Sequence, residues 1–314
     1  MADRVRVGVV GVGSLGQHHA RIYAGMPGVE LAGIVDSDPQ RRAEISAATG
    51  AKPIDSIEEL YDRVDAVSIA VPTRAHYEVT RSFLERDIHV LVEKPITDDP
   101  GHAKALVDLA AERRRVLQVG HVERFNPVMA FLEEHLDHPR FLESIRLATF
   151  PPPRPGAEPR GTEVSVILDL MIHDLEIILH LVKSPIQHLH AVGVPVLSNS
   201  IDIANARIVF ESGAVANVTA SRISQEATRK LRVFQEASYL SLDLGQQDGK
   251  FFRKDPDGIT ALDVPIERSD ALEKQLAAFV NSIQTGASPV VSGVHGLEAL
   301  RVACDIQKQI EPGG

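Results

Sequence analysis

The sequence predicts an α/β protein: an N-terminal Rossmann domain built on a doubly wound parallel sheet, then a C-terminal α+β domain with an open, mostly antiparallel sheet. Three observations lead there. Residues 5–36 run strand, glycine turn, helix, strand, acidic residue. Apolar strands then alternate with helices to about residue 120. Beyond about residue 140 the strands follow one another through short turns such as Glu211-Ser212-Gly213. At 314 residues the chain exceeds what a single core usually serves, so the expected division is 1–120 and 121–314, with the last helix returning to the first domain.

The first strand, Val5-Arg6-Val7-Gly8-Val9-Val10, ends at Gly11-Val12-Gly13-Ser14-Leu15-Gly16, a G-x-G-x-x-G that opens a helix. Gly11 permits the tight turn, Gly13 lets backbone approach a pyrophosphate, and Gly16 allows close helix-strand packing. Around Ser14 and Leu15 the helix N-terminus offers N–H groups to phosphates. The second strand, Leu31 to Val35, ends in Asp36, placed where the fingerprint wants an acceptor for adenosine ribose hydroxyls. Arg41 and Arg42 are open to two readings, as partners of the 2′-phosphate of NADP or as a solvated helix face. Because Asp36 would repel that phosphate, NAD is the expected cofactor and NADP the less favoured one.

Asp38-Pro39 supplies an N-cap and a proline at the first helical position for a helix reaching Gly50. Val67 to Val71 is a buried strand closed by Pro72-Thr73, with a helix from about Ala75 to Glu85 behind it. His89 to Val92 ends at Glu93-Lys94-Pro95; a helix Gly101 to Arg113 and a strand Val116 to Val119 complete the sheet. Gly11, Asp36, Pro72, Thr73, Lys94 and Gly120 all fall at carboxyl ends of strands, where such sheets bind ligands. A helix from Val128 to Leu136 precedes strands at Phe141 to Phe150, Ile186 to Val196, Ile203 to Phe210, Ala214 to Ser221, Lys230 to Gln235 and Tyr239 to Leu244. One helix, Val164 to Val182, interrupts them, and Ala271 to Gln284 and Gly296 to Gln309 follow. Helices on one face leave the other free for a homodimer or homotetramer. Pro151 to Gly161 reads as an extended proline-rich loop.

A net charge of -10 argues against a nucleic-acid partner. One cysteine, Cys304, excludes a disulfide framework or a cysteine-rich metal site, and no export signal or membrane span is legible, so a cytoplasmic protein is expected. Lys94 reads either as a solvated loop lysine or as a cation that stabilises a developing alkoxide. Asp169 and His173 are four apart on one helical face, where a carboxylate can orient an imidazole that acts as general base. They read equally as a surface pair. With Glu176 and His180 they make a third alternative, a divalent-metal site, although no H-E-x-x-H is present and no metal is expected.

Taken together, the glycine fingerprint, Val71-Pro72-Thr73 with His76, Glu93-Lys94-Pro95, and Asp169 followed by His173 resemble the glucose-fructose oxidoreductase and inositol dehydrogenase (Gfo/Idh/MocA) family along the whole chain. The resemblance implies NAD or NADP and hydride transfer at a sugar or polyol carbon. It implies Lys94, Asp169 and His173 as the catalytic residues, with Pro72, Thr73, His76 and Glu93 beside the cofactor, and a cis peptide as a candidate at Lys94-Pro95. Val119 to Pro127 resembles members that act on sugar nucleotides, which implies a UDP-sugar such as UDP-N-acetylglucosamine oxidised at the 3-position. Arg124 and Asn126 would then face substrate, or merely cap the helix that follows. Arg154 and Arg160 of the proline-rich loop would hold the diphosphate, or balance nearby acids. The rivals are a myo-inositol or simple aldose dehydrogenase and, in another class, a dinucleotide-sensing regulatory protein without turnover.

Overall fold

A computed structural model describes residues 4–152 and 164–311. They divide into two compact units, one running to Val122 and resuming over Asp270–Leu297, the other formed by Glu123–Ser269 with the chain from Glu298 onward.

The first unit holds six parallel strands: β1 (Val5–Val10), β2 (Val29–Val35), β3 (Pro53–Ile54), β4 (Ala66–Ile69), β5 (His89–Glu93) and β6 (Leu117–Gly120), in the order β3-β2-β1-β4-β5-β6. The order reverses between β1 and β4, the switch point at which such sheets bind ligands. All of β4 and all of β1 except Arg6 are buried, as a sheet covered on both faces requires. Helices α1 (Gly16–Gly25), α2 (Pro39–Thr49), α3 (His76–Leu84) and α4 (Pro100–Arg113) connect them. Asp38 and Asp99 cap α2 and α4 alike, each accepting from the N–H groups two and three residues on, with proline first in the helix.

The last helix, expected to return to this unit, does so only over its first turn, Gly293–Leu297. Its Glu298–Ile310 portion belongs to the second unit, and Ala271–Thr285 is the helix that returns whole. Leu276, Phe279 and Val280, one helical stripe, join Val7, Ala20, Tyr23 and Leu91 in one buried cluster. Gln118 also donates to the Gln275 carbonyl at 3.0 Å.

The second unit opens with α5 (Pro127–His135), β7 (Phe141–Leu147) and α6 (Ile172–Val182). Then come β8 (Ile186–Val194), β9 (Ile203–Phe210), β10 (Val215–Ser221), β11 (Thr228–Phe234), β12 (Ser238–Asp243), β13 (Asp248–Asp255) and β14 (Gly258–Asp263). The sheet order is β14-β13-β12-β11-β7-β10-β9-β8, antiparallel throughout except where β7 meets β10. The hairpin β13-β14 was not anticipated: every residue of β14 is exposed, so its sequence carries no alternation. One sheet face packs Leu142, Ala206 and Val218 against Ile172, Leu175 and Ile178 of α6. Across four strands, Phe141, Phe234, Tyr239 and Phe252 form a ladder with centroid spacings of 6.0, 5.1 and 4.2 Å. Among the described residues no helix is long and apolar enough to cross a membrane.

If Phe279 is a core residue of the first unit, Phe279→Ala should cost about 3–5 kcal/mol in chemical denaturation. A loss below about 1 kcal/mol, normal for a surface position, would contradict the placement.

Candidate active site

The glycine turn fits a dinucleotide. Gly11 stands at φ 83°, and a Cβ there would meet the Ala70 carbonyl oxygen at 2.7 Å. A Cβ on Gly16 would overlap the Gly11 carbonyl oxygen, so helix and strand touch backbone to backbone. Gly13 is the opposite case: a Cβ would meet nothing within 4 Å, which leaves open space before the turn, where Ser14 is exposed and Leu15 half-buried. The exposed turn at Gly13 and Ser14 therefore borders that space at the N-terminal end of α1. Asp36, half-buried at the end of β2, accepts from Val12 N–H at 2.7 Å and Asp38 N–H at 2.9 Å. A carboxylate has about four lone-pair directions, so hydroxyls can still be accepted. Arg41 Nε donates to the Val12 carbonyl at 3.1 Å and Nη1 to Glu44 at 2.7 Å, while Arg42 Nη1 donates to the Asp36 carbonyl at 3.1 Å. Arg41 thus braces the glycine turn and Arg42 the end of β2, each on acceptors of the protein itself.

At the end of β5 the Lys94-Pro95 peptide is cis. Within residues 90–97 Lys94 alone is partly exposed. Pro72 and Thr73, beyond β4, are exposed and half-buried. Their expected companions His76 and Glu93 turn inward instead. His76 is 1% exposed, with Nδ1 2.8 Å from the Pro95 carbonyl and Nε2 3.0 Å from that of Val71. Burial draws its pKa below the ordinary value, against two carbonyls that favour the charged ring. Glu93 is also buried: Oε2 accepts from Lys94 N–H at 3.3 Å, and Oε1 lies 3.4 Å from His19 Nε2. His19 Nδ1 in turn meets Ser68 Oγ at 2.6 Å. Gly16, His19, Ala20 and Tyr23 form the buried stripe of α1, and a histidine on such a stripe needs polar partners.

In the second unit the helix carrying Asp169 and His173 is not uniform. Ile167–Met171 forms a π-turn before α6 begins, a feature frequent at functional sites. Asp169 and His173 stay partly exposed while Ile167, Met171, Ile172, Asp174 and Glu176 are buried. A buried pair that sequence reading missed secures the start of this turn. Arg222 Nε donates to Asp202 at 2.8 Å and Nη1 to the Val164 carbonyl at 2.8 Å, and Val166 N–H donates to the Ile201 carbonyl at 2.9 Å. Asp202 also takes N–H bonds from Val196, Leu197 and Ser198 and a bond from the Ser198 hydroxyl at 2.6 Å; the Ser198 hydroxyl, the Val196 and Ser198 N–H groups and Arg222 hold its pKa down despite burial. An aspartate 20 residues from its arginine leaves no local signal.

Arg124 and Asn126, expected to face substrate, are buried in the interior of the second unit. Asn126 caps α5 through Val128 N–H and donates to the Leu244 carbonyl at 2.8 Å. Arg124 donates to Glu176 at 2.8 Å, and beside this pair Arg146 grips both oxygens of Asp174, at 2.7 and 3.1 Å, and Glu123 at 2.9 Å. Burial pushes the Glu176 pKa up to about 7, against the pull of Arg124. The metal alternative loses two ligands here, since Glu176 faces Arg124 and His180 Nε2 lies 2.9 Å from Glu133. Arg154 and Arg160 lie outside the described residues.

Residues 5–121 match a family model described as oxidoreductase family, NAD-binding Rossmann fold, and residues 137–240 match the GFO/IDH/MocA C-terminal domain. The UDP-N-acetylglucosamine 3-dehydrogenase of Acidithiobacillus ferrooxidans is 34% identical over 98% of this chain and 97% of its own. Its solved structure superposes with a TM-score of 0.92 over 98% of this chain and 97% of that one. The scyllo-inositol 2-dehydrogenase (NAD(+)) of Bacillus subtilis is 30% identical over 71% of this chain and 69% of its own.

Two outcomes are expected. Asp36→Ser should weaken NAD about tenfold or more, the worth of a hydrogen bond to a charged group, and improve NADP relative to it; calorimetry showing equal preference in the native protein refutes the assignment. Glu176 has a raised folded pKa, so its favourable contribution is complete below about pH 4.5 and is lost as pH rises through about 7. The stability of the native protein relative to Glu176→Gln should therefore fall by up to about 3 kcal/mol between those limits, and a flat difference in melting curves counts against a strained carboxylate.

Proposed function

Because this chain belongs to the Gfo/Idh/MocA oxidoreductase family and carries its NAD-binding Rossmann fold, we propose that it oxidises a secondary hydroxyl of a nucleotide-linked sugar, the 3-hydroxyl of UDP-N-acetylglucosamine, to the ketone. The observation that carries this reading is likeness over nearly the full length, in sequence and fold, to an enzyme of that name. The inositol dehydrogenase of Bacillus subtilis aligns over a smaller share of the chain.

Gly11, Gly13, Ser14, Leu15 and Gly16 would hold the pyrophosphate and Asp36 the adenosine ribose, with Pro72 and Thr73 beside the nicotinamide half. NAD, when bound, supplies the acceptor for the hydride that leaves the carbinol carbon. His173 takes the hydroxyl proton as general base, help worth about 10²- to 10⁴-fold. Asp169 holds that imidazole or a neighbouring hydroxyl. Lys94 places a positive charge by the oxygen as its C–O bond becomes a carbonyl, which lowers the barrier in proportion to the charge that develops. The aromatic ladder of the second sheet supports a homo-oligomer through that face, and the reading is of a cytoplasmic enzyme.

The test is NADH formation with UDP-N-acetylglucosamine, free N-acetylglucosamine and myo-inositol. The nucleotide sugar should be turned over far faster than either other compound; preference for myo-inositol moves the protein to the polyol branch, and no turnover with any sugar makes it a dinucleotide sensor. Lys94→Ala and His173→Asn should each lower kcat about 10²-fold or more while NAD binding persists, because neither is assigned to the adenosine half.

A further inference from the structure

The carboxyl ends of β4 and β5 are joined by one imidazole. His76, at the start of α3, reaches the Pro95 carbonyl with Nδ1 at 2.8 Å and the Val71 carbonyl with Nε2 at 3.0 Å. Both partners are acceptors, so the neutral ring that burial favours donates its one N–H to one carbonyl and packs against the other, and only the imidazolium would donate to both. At 1% exposure, water cannot take its place. The residue on the other side of Lys94 is also buried. Glu93 takes the Lys94 N–H on one oxygen and approaches His19 with the other. Its carboxylate already lies over β6, in room that only glycine leaves: a Cβ on Gly120 would come within 2.5 Å of Glu93 Oε1. The Lys94 backbone thus runs between two anchors, Glu93 before it and the Pro95 carbonyl after it.

We propose that His76 is a positioning residue for Lys94: lodged between the Pro95 and Val71 carbonyls and hydrogen-bonded there, it sets where the lysine amine stands. The proposal rests on the reading of Lys94 as a catalytic residue. A lysine has a long flexible stem, so an error in its backbone is carried to its amine, and a misplacement of about 1 Å can cost about 10²-fold in rate. The cluster is contained in the first unit and needs nothing from substrate, so the arrangement exists before any ligand binds.

Two variants separate this from simple core filling. His76→Leu keeps bulk and removes both contacts; His76→Gln keeps an amide donor and guards against loss of folding. Steady-state kinetics, NAD affinity by calorimetry and amide hydrogen exchange without NAD are measured on each, and on His76→Leu combined with Lys94→Ala. His76→Leu should lower kcat about 10- to 100-fold with KM and NAD affinity unchanged, and raise exchange across Glu93–Thr97 but not in β1. His76→Gln should fall between it and the native protein. The double variant should be no slower than Lys94→Ala alone, since a residue acting through Lys94 has nothing left to position. An equal slowing by His76→Leu in both backgrounds overturns the proposal, as does unchanged exchange at Glu93–Thr97 or a loss of protection spread over the whole sheet. If Lys94→Ala itself retains full kcat, the catalytic reading of Lys94 fails, and the proposal with it, whatever the exchange at Glu93–Thr97.

Discussion

Arg146 is 4% exposed, and everything around it follows from the need to keep its charge matched. Removing one partner of a buried ion pair costs about 3–5 kcal/mol, because the remaining charge is left without water. Its two carboxylates come from different places, Asp174 on α6 and Glu123 in the turn before α5, while Arg146 itself lies on β7. Helix, sheet and turn are thereby locked at one point. The same turn supplies Arg124 for Glu176, one helical step further along α6. With Asp174 and Glu176 committed inward, the rotation of α6 is set, and His173 is left partly exposed.

The first unit meets a different constraint, close approach of backbones, and meets it with small residues. Gly16 lets α1 touch the turn after β1, which carries the helix N-terminus to the space in front of Gly13. Behind that turn lies a buried polar run, Ser68, His19 and Glu93. Such groups cost more than apolar packing unless each has a partner. Here they hold the segment that presents Lys94, so the expense falls where position matters most. The second unit spends Arg222 and Asp202 in a similar way, at the start of the π-turn that bears Asp169.

The fold was legible wherever the chain repeats a local rule. The four parallel strands β1, β2, β4 and β5 read as continuous apolar runs, and Asp38-Pro39 announced its helix. The β13-β14 hairpin did not, because an exposed hairpin has no buried face for its side chains to alternate against. The π-turn at Ile167–Met171 was equally silent: one wider turn leaves the apolar pattern of the surrounding helix in place. Gly13, Asp36 and Lys94 in the first unit and Asp169 and His173 in the second were singled out and keep some exposure. His76, Glu93, Arg124 and Asn126 were singled out as well and are buried.

Motif spacing, strand and helix periods and helix caps were decided by the amino-acid order, since each depends on residues a few positions apart: a positive φ at Gly11, an Asp before proline, an acid after the second strand. Which polar residue of a motif turns toward a ligand and which turns toward the core was decided by the tertiary structure alone. Glu93 and Lys94 are neighbours of similar polarity, yet His19 on another element draws one inward and leaves the other partly exposed. Arg124 looks like a substrate ligand until Glu176, 52 residues away, accounts for its charge. The destination of Ala271–Thr285 follows the same logic, for an apolar stripe specifies that it will be buried, and only the assembled sheet specifies against what.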